Sequence, residues 1–396
     1  MSHVSPPTER QRIYLDNAAT SWPKPTGVVT AVVEYLRDLG APAGRSAYRE
    51  ALDVAAIIHE ARRRIAQLID AEEPQRIILT FNGTDSLNMV LHGLLQAGDH
   101  VVTTVCEHNS VLRPLNRLAK RIGVQVTHVA CDDSGRVSAS DVLAAIRPET
   151  RLVAMTHASN VTGALQPVAE VGVALRDLPP LLLVDAAQTA GHLPFSVRQL
   201  EADFVAAPGH KGLLGPLGTG ILYLRPGVEA QLTPSRQGGT GTVSQEEVHP
   251  ETLPEKFEAG SPNVAGIAGL AAAAAFLDAE GLDTIRRHAV TLNDHLIRGL
   301  QSIPKVTVYG PSAAEQRVAV VSMNVEGYDP SELAAVLDVT SRVQVRAGLH
   351  CAPRMHQQLG TLATGGTLRI SPGPFTTIEQ LDTAIEQIAQ IVEGSA

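Results

Sequence analysis

The chain has few lysines, few cysteines, no dense basic run and no long apolar run. Three cysteines in 396 residues, Cys106, Cys131 and Cys351, are too few and too scattered for a disulfide framework. No Cys-x-x-Cys or His-x-x-x-His spacing supports a zinc site, so a reducing cytoplasm is the expected setting. The formal charge is −9. Nucleic acid and anionic membranes both reward clustered Lys and Arg, and neither is expected as a partner. The longest apolar run, residues 266–277, is alanine-rich and too short to span a bilayer; it predicts a packed helix. Residues 1–12 are polar, carry two prolines and predict a loose tail without the apolar core of a signal peptide. Gly-x-x-x-x-Gly-Lys is absent, which excludes a P-loop. No internal repeat or low-complexity segment occurs.

What is there describes a soluble globular protein: 44% hydrophobic and 18% charged. A chain this long exceeds one core, so two domains are expected. Short apolar runs at 76–80, 100–105, 125–129, 151–155, 181–184, 203–207 and 221–224 alternate with amphipathic stretches such as 86–95 and 111–121. That alternation predicts an α/β fold with a mainly parallel seven-stranded sheet and helices on both faces. Past residue 266 the pattern changes to a long helix (267–278, continuing near 284–302), short strands and a closing helix at 377–392. These read as a smaller α+β domain. The division is a large domain at 21–275 and a small one at 276–396 that takes in 1–20. The stretch 237–263, rich in Gly, Thr, Glu and Pro, is long for a loop in a compact domain and is expected to be functional.

In parallel sheets ligands bind at the carboxyl ends of the strands. Five of the predicted strand ends carry chemically capable groups: Asn82-Gly-Thr-Asp-Ser86, Glu107-His-Asn-Ser110, Thr156-His-Ala-Ser-Asn160, Asp185-Ala-Ala-Gln188 and His210-Lys211. Scattered surface polarity would not follow strand ends so consistently, which predicts a single site.

Each group has a plainer reading beside the chemical one. The start at Asn82, with the hydroxyl of Thr84, can cup a phosphate on backbone N–H groups and the helix dipole; a simple N-cap explains it as well. Asp185 is a carboxylate at the end of an aliphatic strand, costly unless it meets a cation such as a pyridinium nitrogen; the alternative is a capping Asp. Gln188 either reaches a ring oxygen or lies on the surface. His108 stacks on an aromatic cofactor or is merely packed. Cys351, in Arg346-Ala-Gly-Leu-His-Cys-Ala-Pro353, has a histidine and an arginine nearby, surroundings that favour a thiolate; otherwise it is a buried, inert thiol. Cys106 and Cys131 read as small apolar residues. Arg369, inside an apolar strand, can grip a substrate carboxylate with its fork or form an internal salt bridge.

The five lysines are Lys24, Lys120, Lys211, Lys256 and Lys305, against 27 arginines, an excess we read as codon usage. Four lie in segments that read as surface helix or loop. Lys211 alone follows an apolar strand, boxed in by glycines and a histidine. A desolvated ammonium loses its proton more easily and serves as a Schiff-base amine. Phosphate cup, strand-end Asp, stackable His and desolvated Lys together describe a pyridoxal phosphate (PLP) site.

With those residues in view, the chain resembles fold-type I, class V aminotransferase-like enzymes of the cysteine desulfurase and selenocysteine lyase group. The matching motifs run nearly end to end: Tyr14-Leu-Asp-Asn-Ala-Ala-Thr20, Gly83-Thr-Asp-Ser-Leu-Asn88, Glu107-His-Asn109, Ser159-Asn-Val-Thr-Gly163, Val184-Asp-Ala-Ala-Gln188, Gly209-His-Lys-Gly212, Phe257-Glu-Ala-Gly-Ser-Pro-Asn263, Arg346-Ala-Gly-Leu-His-Cys351 and Leu368-Arg-Ile-Ser371. The resemblance implies that Lys211 carries PLP and moves the Cα proton, Asp185 binds the pyridine nitrogen, Gln188 the ring hydroxyl, and His108 stacks on the ring. It gives the phosphate to Thr84 and His210, and the substrate carboxylate to Asn160 and Arg369. Cys351 would take sulfur from L-cysteine as a persulfide, releasing L-alanine, with a sulfur-acceptor protein downstream. It also implies a homodimer in which Thr240 and Thr242 reach the partner's phosphate.

The chain departs from the family pattern twice. Pro208 stands where a phosphate-binding Ser or Thr is usual, and Tyr48, near Gly44-Arg-Ser-Ala-Tyr48, where many relatives carry histidine. Selenocysteine lyase, cysteine β-lyase, racemase or aminotransferase chemistry on the same scaffold are the alternatives, as is a silent PLP-binding sulfur-relay protein.

Overall fold

The apolar runs become strands because each is a short stretch of β-branched and aliphatic side chains bounded by turn formers. The structure, a computed structural model, describes residues 12–44, 48–242, 245 and 247–394. Its strands are β1 (Ile13–Tyr14), β2 (Ile77–Thr80), β3 (His100–Thr104), β4 (Gln125–Val129), β5 (Thr150–Thr156), β6 (Leu181–Asp185), β7 (Phe204–Pro208), β8 (Gly220–Leu224), β9 (Val306–Tyr309), β10 (Val321–Val325), β11 (Val343–Gln344), β12 (Arg346–Gly348) and β13 (Thr367–Ile370). All seven runs expected in the large sheet are found in it, in the order β2-β8-β7-β6-β5-β3-β4. Arg76 falls just outside, in a single 3₁₀ turn.

Only β8 runs against its neighbours, pairing antiparallel with both β2 and β7. Two antiparallel steps cancel, so β2, β3, β5, β6 and β7 all end on one edge of the sheet. Successive residues bury on opposite faces: Leu182, Val184 and Val205 on one, Leu183 and Phe204 on the other. That is the pattern of a sheet covered by helices on both sides.

A third core joins Leu15 to Leu292, Leu296, Val321, Met323, Leu368, Ile370, Leu381 and Ile388. It lies against the four-stranded antiparallel sheet β12-β13-β10-β9, while β1 pairs with β11. The N-terminal strand is thereby tied to residues more than three hundred positions on.

The alanine-rich run forms the helix Val264–Glu280, packed against the helices Thr26–Glu34 and Arg49–Leu68; small side chains permit that approach. It does not simply continue: Gly281, at φ 76°, ends it, and the next helix, Leu282–Gln301, departs at 79°. Among the described residues no single helix is long and apolar enough to cross a membrane. The described part of 232–263 contains neither helix nor strand, as its composition predicts. Of the expected tail, 1–12, residues 1–11 lie outside the described residues, while Arg12 is held by Gln344 Oε1 (2.5 Å).

Candidate active site

The common edge of β2, β3, β5, β6 and β7 opens into a cavity of about 210 Å³, closed on its far side by Arg346, His350 and Arg369. Eight of the predicted site residues line it: Thr84, His108, Asn160, Asp185, Gln188, His210, Lys211 and Arg369. Cys351 borders an adjoining recess that shares Thr84, His108 and Ser110 with this cavity. Thr240 and Thr242 do not line it; they hydrogen-bond to each other (2.9 Å) on a separate surface recess.

Lys211 follows β7 in a tight turn. A side chain on Gly209 would overlap Thr219, and one on Gly212 would overlap the Ala190 carbonyl, so only glycine lets the chain pass so close on either side of the lysine. Half-buried, Lys211 turns its accessible part to the cavity. Burial pulls its amine down to about 8; Asp185 opposes the shift, and Arg369 and Arg346 add to it. One expectation fails: Lys211 is not the single lysine away from the surface. Lys256 is buried, its Nζ donating to the Glu229 carbonyl (2.9 Å) and pairing with Glu251 (2.6 Å). Lys24 is half-buried and donates to Ser21 Oγ (2.7 Å) and the His210 carbonyl (3.0 Å). Long stems let such ammonium groups find acceptors from buried positions. Lys211 differs in that no described residue accepts a hydrogen bond from its amine.

Asn82 is the N-cap of the helix Gly83–Leu94, its Oδ1 accepting from the Asp85 N–H at 2.9 Å. The plainer reading holds, since Asn82 caps the helix; Asn82, Gly83 and Thr84 also face the cavity. Pro208 packs on the same turn, 3.1 Å from where a Gly83 Cβ would stand. His210 also faces in, with Nδ1 buried and unpartnered, and burial, with Lys211 and Lys24 nearby, drives its ring to about 4. Of the Gly44–Tyr48 segment, Arg45, Ser46 and Ala47 lie outside the described residues. Tyr48 is the exposed N-cap of the helix Arg49–Leu68 and does not line the cavity.

Asp185 ends β6 deep in the site. Its Oδ1 accepts from the Ala187 N–H at 2.9 Å, and burial raises its carboxyl above the ordinary value. Gln188 is buried rather than on the surface; its Nε2 donates to the Ala18 carbonyl (3.1 Å), which leaves Oε1 free. His108 caps the helix Asn109–Ile122, its Nδ1 accepting from the Ser110 N–H at 3.0 Å. Burial, reinforced by Lys211 and three arginines, lowers it to about 4, so the imidazole is neutral at pH 7.

Beneath His108, Glu107 is fully buried, with Oε1 accepting from Thr104 Oγ1 (2.7 Å) and the Thr156 N–H (3.0 Å) and Oε2 unpartnered. Burial lifts its carboxyl to about 8. A Glu held protonated in the fold contributes stability that is complete below its ordinary pKa and disappears as pH rises through about 8. Glu107→Gln keeps an acceptor for both donors and has no such loss. The unfolding temperature of the cofactor-free parent is therefore expected to fall relative to Glu107→Gln between pH 5 and 8.5, by on the order of 5 °C. A pH-independent gap in a thermal melt would contradict this.

Arg369 satisfies its plainer reading, an internal salt bridge. Nη2 pairs with Asp16 (2.8 Å) and Nη1 donates to the Asn160 carbonyl (3.0 Å), while Nε is buried without a partner. Arg346 stands directly opposite Arg369 across β12 and β13. Like charges face to face are destabilising, and Asp16 offsets only one of them. Arg346 also reaches out to Cys351, Nη2 to Sγ 3.8 Å. His350 and Cys351 both have left-handed backbones, φ 47° and 60°, a strained state in non-glycine residues. Their carbonyls accept from Asn160 Nδ2 (2.6 Å) and the Asn109 N–H (2.7 Å).

Sequence reasoning missed Arg346 and His350 as cavity residues, Ser110 as the link between His108 (2.8 Å) and Thr84 (2.7 Å), and Glu107 as a buried acid. Arg346 was legible only as a neighbour of Cys351; its place opposite Arg369 comes from strand register. The expected plain roles of Cys106 and Cys131 stand, since both are buried and free of disulfides.

Residues 13–383 match the aminotransferase class-V family. The chain is 38% identical over 389 residues to a probable cysteine desulfurase of Methanothermobacter thermautotrophicus, covering 97% of this chain and 96% of that one. It is 32% identical over 383 residues to a cysteine desulfurase of Haloferax volcanii, covering 95% and 88%. Among solved structures it resembles apo cysteine desulfurase from Thermococcus onnurineus NA1 with a TM-score of 0.90 at 37% identity, covering 97% of this chain and 95% of that one. Escherichia coli CsdA, also a cysteine desulfurase, superposes with a TM-score of 0.86 at 29% identity, covering 96% and 95%. The parallel sheet, its strand-end cavity and nearly the whole length of the sequence thus agree: the chain belongs to the aminotransferase class-V family.

Proposed function

We propose that the protein is a PLP-dependent cysteine desulfurase that converts L-cysteine to L-alanine and leaves the sulfur on Cys351. The observation that carries this reading is a thiol beside the cavity, 3.8 Å from an arginine that also lines it. An aminotransferase or β-lyase has no use for a thiol there.

The cavity suits PLP. Asp185 is a buried carboxylate with no cation in direct contact, which a pyridinium nitrogen would supply. The capped turn at Asn82–Thr84 and the unpartnered His210 Nδ1 suit its phosphate. Gln188 has Oε1 free for the ring hydroxyl, and neutral His108 suits the ring face. When bound, the cofactor withdraws electrons from the substrate's Cα and Cβ. Lys211, neutral above about pH 8, takes the Cα proton. Arg369, with Asn160 beside it and Arg346 opposite, orients the carboxylate. Cys351 attacks the substrate sulfur: a new S–S bond forms as the Cβ–S bond breaks, and Cβ is then protonated to the methyl group of alanine.

A single ammonium cannot hold Asp16, the Asn160 carbonyl and a carboxylate as a guanidinium does. Arg369→Lys is therefore expected to raise KM for L-cysteine about 10- to 100-fold with a smaller change in kcat. Steady-state alanine formation measures it; a fall in kcat at constant KM would remove the carboxylate role.

The homodimer belongs to the same proposal. Val29, Val33, Leu36 and Leu52 expose large apolar side chains, which calls for a cover, and the Gly241 turn approaches Gly44 (3.9 Å) nearby. Thr240 and Thr242, away from their own chain's cavity, are then free to reach a partner's phosphate. A reducing cytoplasm suits a protein whose chemistry needs a free thiol.

The deciding experiment is product analysis of PLP-loaded protein with L-cysteine and a reductant. Alanine and sulfide are expected. Pyruvate would mean β-elimination and would retire the desulfurase reading.

A further inference from the structure

The recess beside Cys351 holds about 480 Å³ and is lined by Asn88, His92, Asn109, Arg113 and Arg117, with no carboxylate in its wall among the described residues. That is unusual in a chain with 41 acidic against 32 basic residues. Arg113 and Arg117 lie one turn apart on one face of the helix Asn109–Ile122. Both are exposed, and neither is hydrogen-bonded or ion-paired to any described residue. The exposed Arg37, Arg176, Arg198 and Arg298 each hold a neighbouring carboxylate, whereas Arg121 and Arg354, also exposed, pair with no described carboxylate; what sets Arg113 and Arg117 apart is that both line the recess beside Cys351.

A solvated basic helix face is the simple explanation, and it suits the C-terminal Lys120 and Arg121, which the helix dipole favours. It does not suit Arg113, which stands near the positive N-terminal end. The field of these arginines is felt inside: Arg113 helps keep His108 neutral, and Arg121 acts likewise on His92, after burial in both cases. Two free forks, an acid-free wall and a thiol on the rim describe a receptor for anions next to the reacting sulfur.

Building on the desulfurase reading, we propose that this recess is the sulfur-acceptor site and selects a thiol flanked by carboxylates, which Arg113 and Arg117 hold against Cys351. The acceptor thiolate attacks the outer sulfur of the Cys351 persulfide. The acceptor S–S bond forms, the bond to Cys351 Sγ breaks, and its electron pair stays on Sγ as a thiolate beside Arg346. The persulfide proton travels with the transferred sulfur, so charge and atoms balance without any oxidant. The carboxylates come either from a small thiol acid or from an acidic segment of a protein.

The test uses PLP-loaded protein pulsed with one equivalent of L-cysteine, with alanine measured at once. The persulfide-bearing protein is then mixed, at equal thiolate concentration, with mercaptosuccinate, 2-mercaptoethanol, cysteamine and two pentapeptides whose central cysteine is flanked by aspartates or by lysines. Loss of the Cys351 persulfide is followed by intact mass. Acidic thiols are expected to react about 10-fold faster than neutral or cationic ones at low salt, with the advantage shrinking as salt rises. In an Arg113→Ala, Arg117→Ala double variant the advantage disappears while the alanine pulse is unchanged; lysine at both positions restores part of it. Either acidic probe outrunning its neutral or cationic counterparts supports the proposal, and the faster of the two identifies the source of the carboxylates. Equal rates for all charges, or a preference that survives in the double alanine variant, overturns it. A missing alanine pulse instead removes the desulfurase reading beneath it, a separate signal.

Discussion

Turnover of L-cysteine is expected to fall by about 10⁴-fold or more when Lys211 is replaced by alanine, because the proposed mechanism gives Lys211 both the amine that carries the cofactor and the base at Cα. The cofactor's visible absorption is lost with it. The parent carries a second signature of the same residue. Burial brings the amine to about 8 rather than 10.5, and only the neutral amine reacts with an aldehyde. The rate at which cofactor-free protein takes up PLP should therefore climb with pH through a midpoint near 8. A midpoint above 10, or uptake unchanged in Lys211→Ala, would show that this amine is not the one that captures the cofactor.

Cys351→Ser gives the other large effect, and it separates the two halves of the reaction. Thr84, Asp185, Gln188, His210 and Lys211 are untouched, so PLP binds and its spectrum still responds to L-cysteine. Alanine formation falls by about 10³-fold or more, since a hydroxyl is a poor nucleophile toward sulfur. Mass analysis after a cysteine pulse finds no added sulfur at position 351. Alanine at the parent's rate from this variant would assign the sulfur-accepting role elsewhere. Cys106 and Cys131 are poor substitutes, being 1% and 7% exposed inside the core of the large sheet.

The strand-end groups were legible because each follows an apolar run directly: once 181–184 is read as a strand, Asp185 has only one place to go. The capped turn at Asn82 and the glycines around Lys211 are local in the same sense. What stayed hidden was non-local. The Arg346–Arg369 pair depends on the register of two strands some twenty residues apart. The clamp of Ser21 and Lys24 on the His210 carbonyl joins positions nearly two hundred residues apart. Glu107 was quoted only as the letter before His108; its burial follows from the close of β5 over it, through the Thr156 N–H. The burial of Lys256 inside a long loop carried no local signal, because periodicity cannot report on an irregular segment.

Only four residues, Leu349 to Ala352, separate the end of β12 from the helix that starts at Pro353. The two in the middle have their carbonyls fastened to Asn160 and to the start of the helix Asn109–Ile122. Cys351 is therefore a fixed post rather than a swinging arm. With its backbone fastened on both sides, its sulfur cannot be carried far outward for delivery. An acceptor has to come to it, and must be slender enough at its thiol to reach that sulfur.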